Sequence, residues 1–162
     1  MASASIILPR KPGDKLREKA LEIGYLPEEL GVEFVRRCLN EKLDPEGLME
    51  HYQTLSEKYL GEAKELLKER YLVQASAKLW GASALAVKGV AARRGQQLEK
   101  HGALWGFVNT LAKESGDKDF VRFFHVANNL HKNFYENEMP EETIEISAED
   151  VEKLITKLKE VK

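Results

Sequence analysis

Between Pro45 and Pro140 the chain has no proline, and apolar residues recur through that stretch at helical spacing. Leu48, Tyr52, Leu55, Tyr59, Ala63 and Leu66 follow one another at steps of 4, 3, 4, 4 and 3, the stripe of an amphipathic helix. Asp44-Pro45 supplies a cap and then the proline that suits a first helical turn. Residues 72–94 differ: Leu72, Val73, Ala75, Leu79, Trp80, Ala82, Leu85, Val87 and Val90 surround nearly the whole helix, as in a buried central one. A break near 69–71 is expected, because a single helix from 45 to 94 would be unusually long. Gly95 ends the central helix, and further helices are expected at 101–115 and 118–136, separated by Gly116-Asp117. Pro140 closes the latter, and Ser147-Ala148-Glu149-Asp150 resembles a capping box opening a last helix with Val151, Leu154, Ile155 and Leu158 inside. Ahead of Pro45 the pattern predicts a short apolar strand at 4–8. A helix capped by Asp14 and stopped by Gly24 follows, then a second from Pro27 to about residue 43 with Leu30, Phe34, Val35 and Cys38 as its apolar face.

The expected fold is therefore all-α: an up-and-down helical bundle at 44–162, preceded by an N-terminal arm or small helical module at 1–43. Composition narrows the class. Of 162 residues, 43% are hydrophobic, enough for a core and too many for a disordered chain. The single cysteine excludes a disulfide framework and any cysteine-based zinc site and suggests a reducing compartment. No apolar run approaches the roughly 18–20 residues that cross a bilayer, and the first residues lack the basic start of a signal peptide, so a cytoplasmic protein without a membrane partner is expected. A net charge of −2 argues against general polyanion binding.

The candidate chemistry gathers on few residues. In the helix at 118–136, Phe120, Phe123, Phe124, Ala127, Leu130 and Phe134 share one face, and His131 falls within it with Asn128 and Tyr135 on its flank. A histidine in an apolar stripe commonly fills core space; the alternative is a cleft histidine, with Asn128, Asn133 and Tyr135 as polar neighbours, whose neutral imidazole accepts a proton from a ribose 2′-hydroxyl. His125 points away from the stripe but is kept as a ligand-binding candidate, for a divergent site with His131 and an arginine from a partner chain, and His51 reads as a solvated surface residue. Arg93 and Arg94 end the central helix, where cations suit the dipole; they also form a candidate phosphate grip, with His101 across a short loop. Trp80 and Trp105 read as core packing, and Lys78 and Lys88 either snorkel from an apolar helix or mark a groove. The carboxylates from Glu136 to Glu149 lack metal-ligand spacing and read as a solvated loop; no metal site and no cofactor is expected.

Several stretches carry a family resemblance: His51-Tyr52-Gln53-Thr54-Leu55-Ser56-Glu57-Lys58-Tyr59-Leu60, Leu72-Val73-Gln74-Ala75-Ser76-Ala77-Lys78-Leu79-Trp80-Gly81-Ala82, Lys100-His101 through Leu104-Trp105, and Asn129-Leu130-His131-Lys132-Asn133-Phe134-Tyr135-Glu136-Asn137. Over about residues 48–160 the chain resembles the archaeal PaREP family, which is in turn similar to HEPN domains. These are helical bundles, often dimeric, found in nucleotide-binding proteins and in RNases of toxin and defence systems. HEPN RNases carry an Arg-x4–6-His motif. His131 matches its histidine, but the positions five to seven before it are Val126, His125 and Phe124, and Arg122 is nine before. The resemblance thus implies a homodimeric nucleotide- or RNA-associated binding protein, with Arg94, His101, Asn128, His131 and Tyr135 as its polar cleft. A metal-independent RNase using His131 as base with Arg94 or Arg93 as phosphate clamp is the alternative. A third reading takes 4–43, weakly similar to ribbon-helix-helix modules, as a DNA-binding element, with Arg10 and Lys11 on phosphates.

Overall fold

The computed structural model describes residues 4–42 and 44–162, and among these it contains seven α-helices and no strand. The chain divides into two compact units, Met1–Lys42 and Leu43–Lys162. No helix among the described residues is long and apolar enough to cross a membrane.

The first unit is a helical hairpin of α1 (Arg10–Ile23) and α2 (Pro27–Cys38). The segment at 4–8 is irregular rather than a strand, and Ile7 is almost wholly exposed. Helix α1 begins four residues before the expected Asp14 cap. Pro9 takes the N-cap position, and Pro12 falls in the first turn, where its missing N–H has no intrahelical partner to lose. Asp14 instead accepts from Arg17 at 3.0 Å. Gly24 ends the helix in the left-handed conformation that glycine adopts without strain. Glu29 caps α2 from within, its carboxylate accepting the Leu26 N–H at 3.1 Å. The core of this unit is Ala20, Tyr25 and Leu30, with Leu16 and Ile23 partly covered. Of the apolar face expected on α2, only Leu30 is buried; Phe34, Val35 and Cys38 are exposed.

The second unit is the bundle: α3 (Pro45–Lys68), α4 (Leu72–Arg93), α5 (His101–Ser115), α6 (Asp119–Glu136) and α7 (Glu141–Lys159). The α3 start is as its residues dictate, with Asp44 accepting the Gly47 N–H at 2.6 Å. The break before α4 falls at Arg70, which takes a left-handed φ of 66°. Helix α4 is the bundle's axis, with sixteen of its 22 residues buried. It runs antiparallel to α3, with Ser56 donating to the Ala82 carbonyl at 2.8 Å and Lys78 paired with Glu62 and lying 4.1 Å above the Tyr59 ring.

Strict up-and-down alternation fails at one connection. Trp80, midway along α4, meets the first residue of α5, while Arg94 at the end of α4 meets Glu114 near the end of α5. Helix α5 therefore runs parallel to α4, and residues 95–100 travel back along it as an extended return anchored by buried Leu98. Helix α6 is antiparallel to both, and α7 to α6, with Lys157 bonded to Asp117 at 2.6 Å.

The last helix corrects two expectations. It starts at Pro140 in the N-cap position, seven residues before the capping-box pattern, with Glu141 and Glu142 in the first turn where the dipole favours them. Ser147 lies mid-helix, buried, and donates to the Thr143 carbonyl at 2.7 Å. Glu141, Glu142, Glu145 and Glu149 thus stand on α7 rather than in a loop.

Candidate functional site

Two histidines far apart in sequence meet over one tryptophan. Trp80 is buried in α4 by the packing of α5 and α6 around it, and its indole forms a floor. His101, the first residue of α5, lies flat on that indole, with ring centroids 4.8 Å apart and planes within 6°. His131, near the end of α6, lies 4.9 Å from the indole and 4.8 Å from the His101 ring. The extended return at 95–100 makes this meeting possible, since it carries the start of α5 back to the middle of α4. Tyr135, one turn past His131, packs edge-on against its ring at 5.5 Å and is otherwise exposed. Phe134 beside it is also exposed, outside the core to which its helical position would assign it.

Charge at the cluster is set by burial and by one lysine. Burial holds the His131 imidazole below its ordinary pKa, and the nearby His101 lowers it further. His101 is lowered first by burial and then by the ammonium of Lys88. Both rings are consequently neutral at pH 7, each offering one N–H donor and one acceptor. Lys88 is buried, on the same face of α4 as Trp80 and two turns further on.

The remaining expected site residues are distributed elsewhere. Asn128 is half-buried one turn before His131 on α6. His125 is exposed, its ring 6.0 Å from Trp105. His51, expected at the surface, is half-buried with its ring tilted against Tyr52. Arg93 pairs with Glu46 and reaches the Val161 carbonyl. Arg94 binds the Glu114 carboxylate at 2.8 and 3.2 Å and the Lys162 carbonyl at 3.0 Å. Fourteen residues of helix separate it from Trp80, about 21 Å of axial rise, so it is not a phosphate clamp for His131. The Arg94–His101 spacing misled because it measures a return loop that leads away from Arg94. Asn133, on the same helix, is structural: it donates to Ser76 Oγ at 3.0 Å and accepts the Glu138 and Met139 N–H groups, both at 2.9 Å. The residue missed from sequence is Trp80, taken only as packing; Lys88, expected either to snorkel or to mark a groove, is buried in the middle of the bundle. Among the described residues, no group of three or more His, Cys, Asp or Glu is placed to hold a metal.

The model of the archaeal PaREP1/PaREP8 family matches residues 51–155, which include the whole of α4, α5 and α6, the three helices that build this cluster. The chain belongs to that family. The family region begins within α3 and ends within α7, so it includes Trp80, His101, His131 and Tyr135 but none of the N-terminal hairpin. Among solved structures, the chain is similar to the crystal structure of a protein from Sulfolobus solfataricus, at 26% identity and a TM-score of 0.58, covering 64% of this chain and 92% of that one. No curated protein matches.

Proposed function

We propose that this family member is an HEPN-like bundle that binds a nucleotide unit, free or within single-stranded RNA, at the Trp80–His101–His131 cluster, without a complete catalytic set. The observation that carries this reading is the convergence of two neutral imidazoles from different helices, beside exposed aromatic rings. Phe134 and Tyr135 present π-faces on which a base can stack, an interaction open to every base. The imidazole N–H groups, one from each ring, suit a phosphate oxygen. The engagement of Arg94 by Glu114 removes the arginine that an RNase of this type would use.

The test is calorimetric titration of the full chain with adenosine monophosphate and with a short single-stranded oligoadenylate. Binding that falls at least tenfold in His131→Ala and in Tyr135→Ala, and is unchanged in Arg94→Ala, supports the reading. Binding that is absent at millimolar ligand, or unaffected in both cluster variants, overturns it.

The histidine pair also favours a second reading, metal-independent RNA cleavage. One imidazole would take the proton of a ribose 2′-hydroxyl while the other protonates the leaving 5′-oxygen. Two imidazoles 4.8 Å apart titrate as a coupled pair, so a singly protonated form exists over some range below neutrality. Cleavage of unstructured RNA in the presence of chelator, maximal on the acid side and lost in His131→Ala, is its signature; intact RNA at micromolar protein excludes it.

A further inference from the structure

Each cluster histidine has a lysine beside it in the chain: Lys100 precedes His101, and Lys132 follows His131. Both lysines are exposed, and neither is in an ion pair among the described residues. Elsewhere on the bundle, cations are mostly held by carboxylates: Lys78 by Glu62, Lys157 by Asp117, Lys159 by Glu57 and Arg94 by Glu114. The exposed Lys113 stands near the other end of α5, about 18 Å of axial rise from His101.

Both lysines lie on the open side of the cluster. At 100° per residue, Tyr135, Asn128 and Lys132 follow His131 round α6 at about 40°, 60° and 100°, all to one side. Leu130, to the other side, is buried. The flank that begins at the Trp80 floor with His131 therefore reaches solvent at Lys132. Lys100 is the N-cap residue of α5, with an extended backbone and an exposed side chain, one position before the ring that lies on Trp80. Because the two rings are 4.8 Å apart, the lysines flank one pair of imidazoles from two different helices. The carboxylates nearest in sequence, Glu99 before Lys100 and Glu136 one turn past Lys132, are exposed and paired with neither lysine. Exposed charges are screened over about 8 Å at physiological ionic strength, so the net charge of −2 does not decide the local field.

A mononucleotide such as adenosine monophosphate carries one phosphate group, which the imidazole pair alone accommodates. Two further cations outside the pair match phosphates on either side of it, and a chain of nucleotides supplies these. The exposed rings of Phe134 and Tyr135 are open to unpaired bases, whereas the bases of a duplex are already stacked on one another.

We infer that the ligand is a segment of single-stranded RNA rather than a free nucleotide, and that Lys100 and Lys132 select it by holding the phosphates that flank the one at the histidine pair. This rests on the nucleotide reading of the Trp80–His101–His131 cluster.

The experiment measures the affinity of the full chain for octaadenylate and for adenosine monophosphate between 50 and 300 mM KCl, in the wild type and in Lys100→Gln, Lys132→Gln and Lys113→Gln. One phosphate contact on a single strand contributes about 0.7 to the slope of log affinity against log salt, or about fivefold at 0.1 M. The wild type is expected to bind octaadenylate at least tenfold more tightly than the mononucleotide. Lys100→Gln and Lys132→Gln each weaken octaadenylate about fivefold at 0.1 M and flatten its salt slope by about 0.7, and both leave the mononucleotide within twofold. Lys113→Gln changes neither ligand. Octaadenylate bound no more tightly than the mononucleotide overturns this inference and leaves the ligand reading standing. So do wild-type octaadenylate affinity in both cluster-side variants, an equal loss for the two ligands, or a blunt RNA duplex bound as tightly as the single strand. Failure of both ligands to bind overturns the ligand reading itself, and this inference with it.

Discussion

Replacing Asn133 by alanine removes the joint between the end of α6 and the start of α4. The side chain is 2% exposed and makes three hydrogen bonds, one donated to Ser76 Oγ and two accepted from the Glu138 and Met139 N–H groups. Ser76 keeps its own donation to the Leu72 carbonyl, so the loss on that side is limited to one accepted bond. The two backbone N–H groups are only partly buried and regain some hydration. At about 1 kcal/mol per net hydrogen bond, with a smaller contribution from the lost volume, the cost is about 3 kcal/mol. Both tryptophans lie in the bundle, so fluorescence-monitored urea unfolding reports this unit. With a slope of about 1–3 kcal/mol per molar, the midpoint falls by about 1–3 M. Amide exchange at Glu138 and Met139 accelerates, because their acceptor is gone. Ser76→Ala is expected to cost about 1–2 kcal/mol and to leave those two amides protected. A loss below 1 kcal/mol for Asn133→Ala, or unchanged exchange at 138 and 139, refutes the assignment of Asn133 as the joint.

Three further outcomes follow from the same geometry. Gly61 faces open space on α3, so Gly61→Ala raises stability by about 0.5–1 kcal/mol through helix propensity. At Gly89 an added Cβ meets Tyr52 Cβ at 3.2 Å, where α3 and α4 approach, so Gly89→Ala is expected to lower the Tm despite the same propensity gain. His101 and His131 have lowered pKa values in the folded state, so their neutral forms contribute stability above pH 6.5 that is lost as pH falls from there through the folded values. The drop in Tm between pH 7.5 and pH 5 is therefore expected to be smaller in His101→Gln/His131→Gln than in the wild type; an equal or larger drop contradicts the neutral pair.

Helix identities in the bundle were legible because Leu48 to Leu66 and the all-round apolar run of α4 are properties of single helices. The direction of α5 was not, because it depends on an extended return whose only mark is one apolar residue, Leu98, among polar neighbours. That return decides the site: it sets His101 on Trp80 and leaves Arg94 beside Glu114. His131 and Tyr135 were readable from their own helix face, one turn apart. The start of α7 was masked by a serine-to-aspartate spacing that mimics a cap, whereas Ser147 bonds within the helix. The apolar face of α2 was legible, but not that only Leu30 on it is buried, since periodicity reports what a helix offers and not what covers it.

Side-chain nitrogen resonances of His101 and His131, followed while single-stranded oligoadenylate is added, test the proposed ligand site most directly. Both resonances are expected to shift with one saturating affinity, both imidazoles to gain proton affinity as phosphate approaches, and Trp80 fluorescence to change in step. Resonances that stay fixed while RNA binds, or that move only at His51 and His125, contradict the assignment of this cluster as the binding site.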